Sequence, residues 1–166
     1  ITAIDLDHQE WLGQDREAIG GEKAGILRSA RPAVCSDPHP PQSLLETARQ
    51  LSTPLCLLGR DFQMQAEDTD SWRWNGPEGE SMSLPYPARG GEFQLQNAAG
   101  VVMVLHVLGR DFPLDAAAIR CGLSQVSLPG RCQRVGEAPL QILDVAHNPQ
   151  SVRALAASLL AQPCQG

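Results

Sequence analysis

Short apolar runs alternate with helix-period stretches through the first third of the chain, a pattern that predicts parallel βαβ units and an α/β fold. Residues 1–5 read as the end of a buried strand that delivers Asp7 and His8 at its carboxyl edge, where open α/β sheets collect ligands. Asp15 is placed to cap a helix running to about Ser29, with Glu17 in its first turn and Arg28 in its last. Gly20 and Gly21 interrupt that helix, which points to a close approach to its backbone. A strand over 32–36, a helix over 42–51 with Leu44, Leu45 and Ala48 on one face, and a strand over 54–58 continue the series.

Beyond Asp61 the texture changes. Phe62-Gln63-Met64-Gln65 and Trp72-Arg73-Trp74 alternate in period two, and Gly76-Pro77-Glu78-Gly79 makes a turn. Residues 61–89 are therefore expected to form a small antiparallel insertion lying on the sheet, with its tryptophans packed inward. A helix over 92–108 follows, apolar through its middle, then a second over 114–123. Residues 128–137, with a proline, two glycines and two arginines, read as an interdomain linker. A buried strand over 140–145 and a helix opened by Pro149 complete the pattern. The expected division is therefore a first domain over 1–133 and the start of a second over 134–166.

Composition narrows the function. A net charge of −6 with scattered arginines and few aromatics speaks against a nucleic-acid surface. No apolar stretch approaches bilayer length, and no charged-then-apolar leader is visible. The five cysteines lack CxxC spacing and read as reduced thiols of a cytoplasmic protein. An opening in mid-strand and a stop just after a helix read as a piece of a longer polypeptide.

Twelve arginines stand against one lysine, Lys23, within Gly21-Glu22-Lys23-Ala24-Gly25-Ile26. An amine can lose its proton and act as a nucleophile, whereas a guanidinium cannot. A neutral lysine can take up carbon dioxide as a carbamate, whose oxygens suit a hard cation such as Mg²⁺. His8, fifteen residues upstream, is a second possible ligand; a solvated lysine and a hydrogen-bonded strand-end histidine account for the same residues. Gln94 and Asn97 share one helix face and can both donate to and accept from an adenine edge, or cap the helix. In Leu128-Pro129-Gly130-Arg131 a sharp turn presents Arg131, either to a phosphate or to solvent. Ile142-Leu143-Asp144-Val145-Ala146-His147-Asn148-Pro149 sets a carboxylate, an imidazole and an amide at a strand-to-helix junction, the usual place for an α/β active site.

Together, and in this order, these stretches with Ile4-Asp5-Leu6-Asp7-His8-Gln9-Glu10-Trp11-Leu12-Gly13 resemble the Mur ligase superfamily. The segment Glu10-Trp11-Leu12-Gly13 points to its folate branch, the dihydrofolate synthases/folylpolyglutamate synthases. The resemblance implies the second half of a P-loop-type ATPase domain followed by the start of a Rossmann-like C-terminal domain. It implies an ATP-dependent, ADP-forming ligase that joins L-glutamate to dihydropteroate and folates through an acyl phosphate, as a cytoplasmic monomer without nucleic-acid or membrane partners. By the same resemblance His8 and carbamylated Lys23 hold Mg²⁺, Asn97 and Gln94 meet adenine, Arg131 the phosphates and Asp144 the ribose. His147 and Asn148 lie at the cleft between domains, His147 with a catalytic part. A Mur-type ligase with a cell-wall or polymer substrate, and a non-catalytic nucleotide- or metal-binding remnant, are the other readings. Nothing in the 166 residues replaces the family's glycine-rich phosphate loop, so the isolated chain is expected not to turn over. Phe93 stands where many relatives carry histidine.

Overall fold

The computed structural model describes residues 1–6, 9–87, 92–109 and 115–160. The α/β reading holds. Strands β1 (Ala33–Cys35) and β2 (Leu55–Leu57) pair in parallel, joined through helix α3 (Gln42–Gln50). Helix α1 (Gln9–Leu12) is a single turn, and α2 (Arg16–Ala24) packs against α3. The Asp15 carboxylate caps α2 by accepting the Ala18 amide at 2.8 Å. The helix is shorter than expected. It closes at Gly25, whose N–H turns back to the Glu22 carbonyl, and Arg28 donates to the carbonyls of Gly25 and Leu27 from outside the helix.

Gly20 explains how closely α2 and α3 approach. A Cβ there would stand 2.7 Å from the Pro41 Cβ and 2.8 Å from the Ser43 Oγ, whereas at Gly21 the nearest atom is 3.9 Å away. Across the same interface Glu17 reaches the start of α3, its two carboxylate oxygens accepting the amides of Gln42 and Ser43 at 3.0 and 2.8 Å. It satisfies two of the amides that a helix start leaves open, since the capping position itself is Pro41, which makes no side-chain cap.

Residues 1–5 form no strand. Ile1 exchanges two backbone hydrogen bonds with β1, to the Val34 carbonyl at 2.7 Å and from the Ser36 amide at 2.9 Å. The ladder then stops because the Ile4 N–H is taken by the Asp37 carboxylate and the Ile4 carbonyl by Arg16.

Strands β3 (Gln63–Ala66), β4 (Ser71–Asn75) and β5 (Ser81–Pro85) form the antiparallel insertion in the order β3-β4-β5. Trp72 and Trp74 are fully buried, as packing residues should be. They share a core with Phe62, Leu84, Val34 and Leu58 and with Ala98, Ala99, Val102 and Met103 of helix α4 (Glu92–Leu108). The insertion thus rests on α4 and on helix α5 (Ala116–Gln125), α4 also meeting β1, where lying on the parallel sheet was expected. The Asp115 carboxylate caps α5 through the Ala118 amide.

The presumed linker is half strand. Residues 128–131 are a turn, and β6 (Gln133–Glu137) pairs antiparallel with β7 (Leu140–Leu143). One apolar residue in five hid it, and the register slips between Arg134 and Gly136, where the missing Cβ makes room for the Gln141 side chain. Nor is β7 buried: Leu140, Leu143 and the following Val145 are exposed. Helix α6 (Pro149–Leu160) closes the described chain. Among the described residues no helix is long and apolar enough to cross a membrane.

Two outcomes follow from the α2–α3 contact. Gly20→Ala forces backbone-proximal atoms apart and is expected to cost about 1–3 kcal/mol in urea unfolding, whereas Gly21→Ala is expected to stabilise by up to about 1 kcal/mol. The Glu17 carboxyl is held below its ordinary value of 4.5, chiefly by the backbone amides of Ser43 and Gln42. Its folded-state pKa being depressed, its stabilisation is complete above pH 4.5 and is lost as pH falls through the lowered value. The melting temperatures of wild type and Glu17→Gln should therefore differ at pH 7 and converge as the pH falls below 4.5 and through the lowered value.

Candidate functional site

The first turns of α4 open onto two adjoining hollows. The larger, about 650 Å³, is mostly apolar and runs between α4 and α5, past Val101, Leu105, Ile119 and Leu123. Its polar end is made by Gln94 and Asn97 of α4, Arg131 of the turn, and Thr2. The smaller, about 70 Å³, is lined by Phe93, Gln94, Arg131, Cys132 and Asp144 and by one stripe of α6, Ser151, Ala154, Leu155 and Ser158. Gln94, Arg131 and the Phe93 ring border both. Four of the positions singled out in the sequence, Gln94, Asn97, Arg131 and Asp144, thus meet around one cleft from three separate stretches of chain.

The local reasons are simple. Gln94 and Asn97 lie three apart on a helix and so share a face. Leu128-Pro129-Gly130-Arg131 closes with the Arg131 N–H donating to the Leu128 carbonyl at 3.2 Å, and Gly130 takes φ +69°. Proline at the second position and a left-handed glycine at the third suit a type II turn. The turn is tied to the end of β7 twice. The Val145 N–H donates to the Gly130 carbonyl at 2.9 Å, and the Cys132 N–H donates to Asp144 Oδ2 at 2.8 Å.

The second Asp144 oxygen accepts the Ala146 amide at 2.8 Å. A carboxylate offers about four acceptor positions, so these two backbone bonds leave acceptor capacity on the side that faces the hollow. Asn148 is the N-cap of α6, its Oδ1 accepting the Ser151 amide at 2.8 Å. The Ser151 hydroxyl in turn accepts the amides of His147 and Asn148. The exposed His147 ring sits with Nδ1 2.8 Å from the Val145 carbonyl.

Of the two metal candidates, Lys23 is not part of this cleft. It is exposed on the last turn of α2 and lines neither hollow. His8 lies outside the described residues. Among the described residues no three His, Cys, Asp or Glu side chains converge on one point. Phe93, Cys132 and the α6 stripe are lining residues that the spacing of polar groups did not single out. Only the stripe had a signal, its recurrence at helical period.

No protein-family profile matches the chain. It is nevertheless 37 % identical over 166 residues to the dihydrofolate synthase/folylpolyglutamate synthase of Escherichia coli K12. The match covers all of this chain and 38 % of that protein, so the chain spans less than two fifths of the relative's length. The structure superimposes on E. coli FolC in complex with DHPP and ADP with a TM-score of 0.89 at 37 % identity, over 99 % of this chain and 38 % of that one. A bifunctional folylpolyglutamate synthase/dihydrofolate synthase with Mn, AMPPNP and L-glutamate bound gives 0.83 at 43 % identity, over 95 % and 37 %. From end to end the chain resembles part of these synthases, and the recognition made on its motifs stands.

The tether between Asp144 and the turn is open to measurement. Hydrogen bonds to a charged acceptor contribute about 1.5–3 kcal/mol. Asp144→Ala should therefore speed hydrogen exchange at the Cys132 and Ala146 amides by roughly ten-fold or more, with exchange in α2 and α3 unchanged.

Proposed function

We propose that this chain is a segment of an ATP-dependent, ADP-forming carboxylate–amine ligase that adds L-glutamate to dihydropteroate and to folate polyglutamates. Residues 1–133 complete its ATP-binding domain and 134–166 begin its C-terminal domain, in a cytoplasmic enzyme that acts as a monomer. The observation that carries the reading is the meeting of Gln94, Asn97, Arg131 and Asp144 around one cleft in a chain similar throughout its length to these synthases.

In this reading the amide of Asn97, with Gln94 beside it, pairs with the adenine edge, which carries both a donor and an acceptor. Arg131 gives charge-assisted bonds to the phosphates, and the spare acceptors of Asp144 take the ribose hydroxyls. The γ-phosphoryl group passes from ATP to the substrate carboxylate: the P–O bond to ADP breaks and an acyl phosphate forms. The glutamate amine then attacks the acyl carbon, phosphate leaves, and the amine gives up its proton; His147, exposed beside the junction, is the candidate to receive it. Lys23 as a carbamate, together with His8, would hold Mg²⁺. Bound there, Mg²⁺ supplies neutralisation of the charge that gathers on the transferring phosphoryl group.

The experiment uses the complete enzyme, because the chain spans only part of its relatives. Asn97→Ala should weaken ATP binding about five-fold, the equivalent of about 1 kcal/mol for a lost hydrogen bond, and leave folate affinity unchanged. Asn97 is the better probe than Asp144, whose removal also frees the turn. Lys23→Ala should abolish turnover, with partial recovery on adding acetate, and ¹³C-bicarbonate should give a carbamate resonance in wild type that the variant lacks. Full activity of Lys23→Arg, or equal loss of ATP and folate binding in Asn97→Ala, would overturn the assignment.

A further inference from the structure

We infer that Asp5 and Arg153 are positioning residues: their ion pair latches segment 1–6 to helix α6 and so sets how far Arg131 and Asp144 stand from Gln94 and Asn97. The inference rests on the nucleotide site proposed above.

The two residues are 148 positions apart in the chain, and an Arg153 Nη2–H donates to Asp5 Oδ2 at 3.4 Å. Each belongs to a stretch that borders the cleft. Thr2, three residues before Asp5, borders the larger hollow at the polar end made by Gln94 and Asn97. Arg153 lies in the second turn of α6, between Ser151 and Ala154, which line the smaller hollow beside Asp144.

Both ends of the pair are mounted on fixed parts. Ile1 exchanges backbone bonds with β1, and the N–H and carbonyl of Ile4 are held by Asp37 and Arg16. The other Asp5 oxygen accepts the Leu6 amide at 2.8 Å, which orients the carboxylate. On the far side, α6 starts directly after the junction that carries Asp144, with Asn148 capping its first turn. That junction is bonded in turn to the Arg131 turn, through Gly130 and Cys132. A displacement of α6 therefore carries Asp144 and Arg131 with it.

An exposed ion pair adds little to folding, because solvent screens it and a long side chain loses rotamer freedom. Here 71 % of the Arg153 side chain is exposed, against 29 % for Asp5. A latch has a smaller task. It has only to bias the separation of two parts that are each already folded, and a bias of a few-fold passes directly into the affinity of a ligand that touches both.

The test is a charge-swap cycle on the complete enzyme, with wild type, Asp5→Arg, Arg153→Asp and the double variant. ATP affinity is measured by calorimetry at low salt and at about 1 M NaCl, where the Debye length falls to about 3 Å. Each single variant sets like charges against one another and should weaken ATP binding about three- to five-fold at low salt. The KM for ATP should rise by more than kcat falls, since neither side chain touches the reacting groups. The double variant should return to within about two-fold of wild type, and the differences should fade at high salt. Wild-type ATP affinity in both single variants, or losses that simply add in the double variant, would overturn the latch. If a reversed variant does not fold, Asp5→Asn and Arg153→Gln decide: a latch requires each single variant and their double to lose the same affinity. Asn97→Ala is measured alongside, and its binding ATP like wild type would instead overturn the nucleotide site itself.

Discussion

Helix α4 is the constraint on which the rest of this structure depends. Its middle is apolar on every side, so it offers packing surface to more than one neighbour. On one side Ala98, Ala99, Val102 and Met103 are sealed under the buried tryptophans of the insertion and against Val34 of β1. On the other, Val101 and Leu105 wall the larger hollow. Small residues at 98–100 bring it close to the end of β1, where a Cβ on Gly100 would stand 3.0 Å from Ser36. The first turns of a helix held so firmly keep Phe93, Gln94 and Asn97 in fixed places relative to everything packed on it.

The insertion is therefore a support for the site as well as an ornament on the fold. Its three strands bury Trp72, Trp74 and Leu84 on one face, and that face reaches α4 before it reaches the parallel pair. Aromatic burial of this kind contributes heavily to a core that a 166-residue chain must share among several small sheets.

Much of this was legible in the sequence. The bounds of α4, the parallel pairing of β1 and β2, the inward tryptophans and the close approach at Gly20 all follow from period, punctuation and residue size. So does the grouping of polar residues at the strand-to-helix junction after β7. Strand β6 was not legible, because Gln133-Arg134-Val135-Gly136-Glu137 has a single apolar residue and its pairing depends on β7 and on a glycine that admits a neighbour's side chain. The loss of the strand at 1–5 was equally hidden: Ile1-Thr2-Ala3-Ile4 has strand composition, and side chains outside it, those of Asp37 and Arg16, claim the Ile4 backbone. Asn148 reads as a site residue by position, yet its amide is engaged in capping α6. Periodicity reports what a residue faces; it does not report which distant side chain claims its backbone.

The double stitch between the Leu128–Arg131 turn and the end of β7 has a wider meaning for recognition. With Gly130 bound to Val145 and Cys132 bound to Asp144, a cation and an anion acceptor are carried on a single preassembled jaw. A molecule that touches both has no loop to order between them, so little of its binding energy is lost to immobilising that side. The variable left is the angle of this jaw against the fixed face of α4. Selectivity among ligands then becomes a question of span: only one that can bridge an amide-bearing helix and the jaw at the same time gains from both.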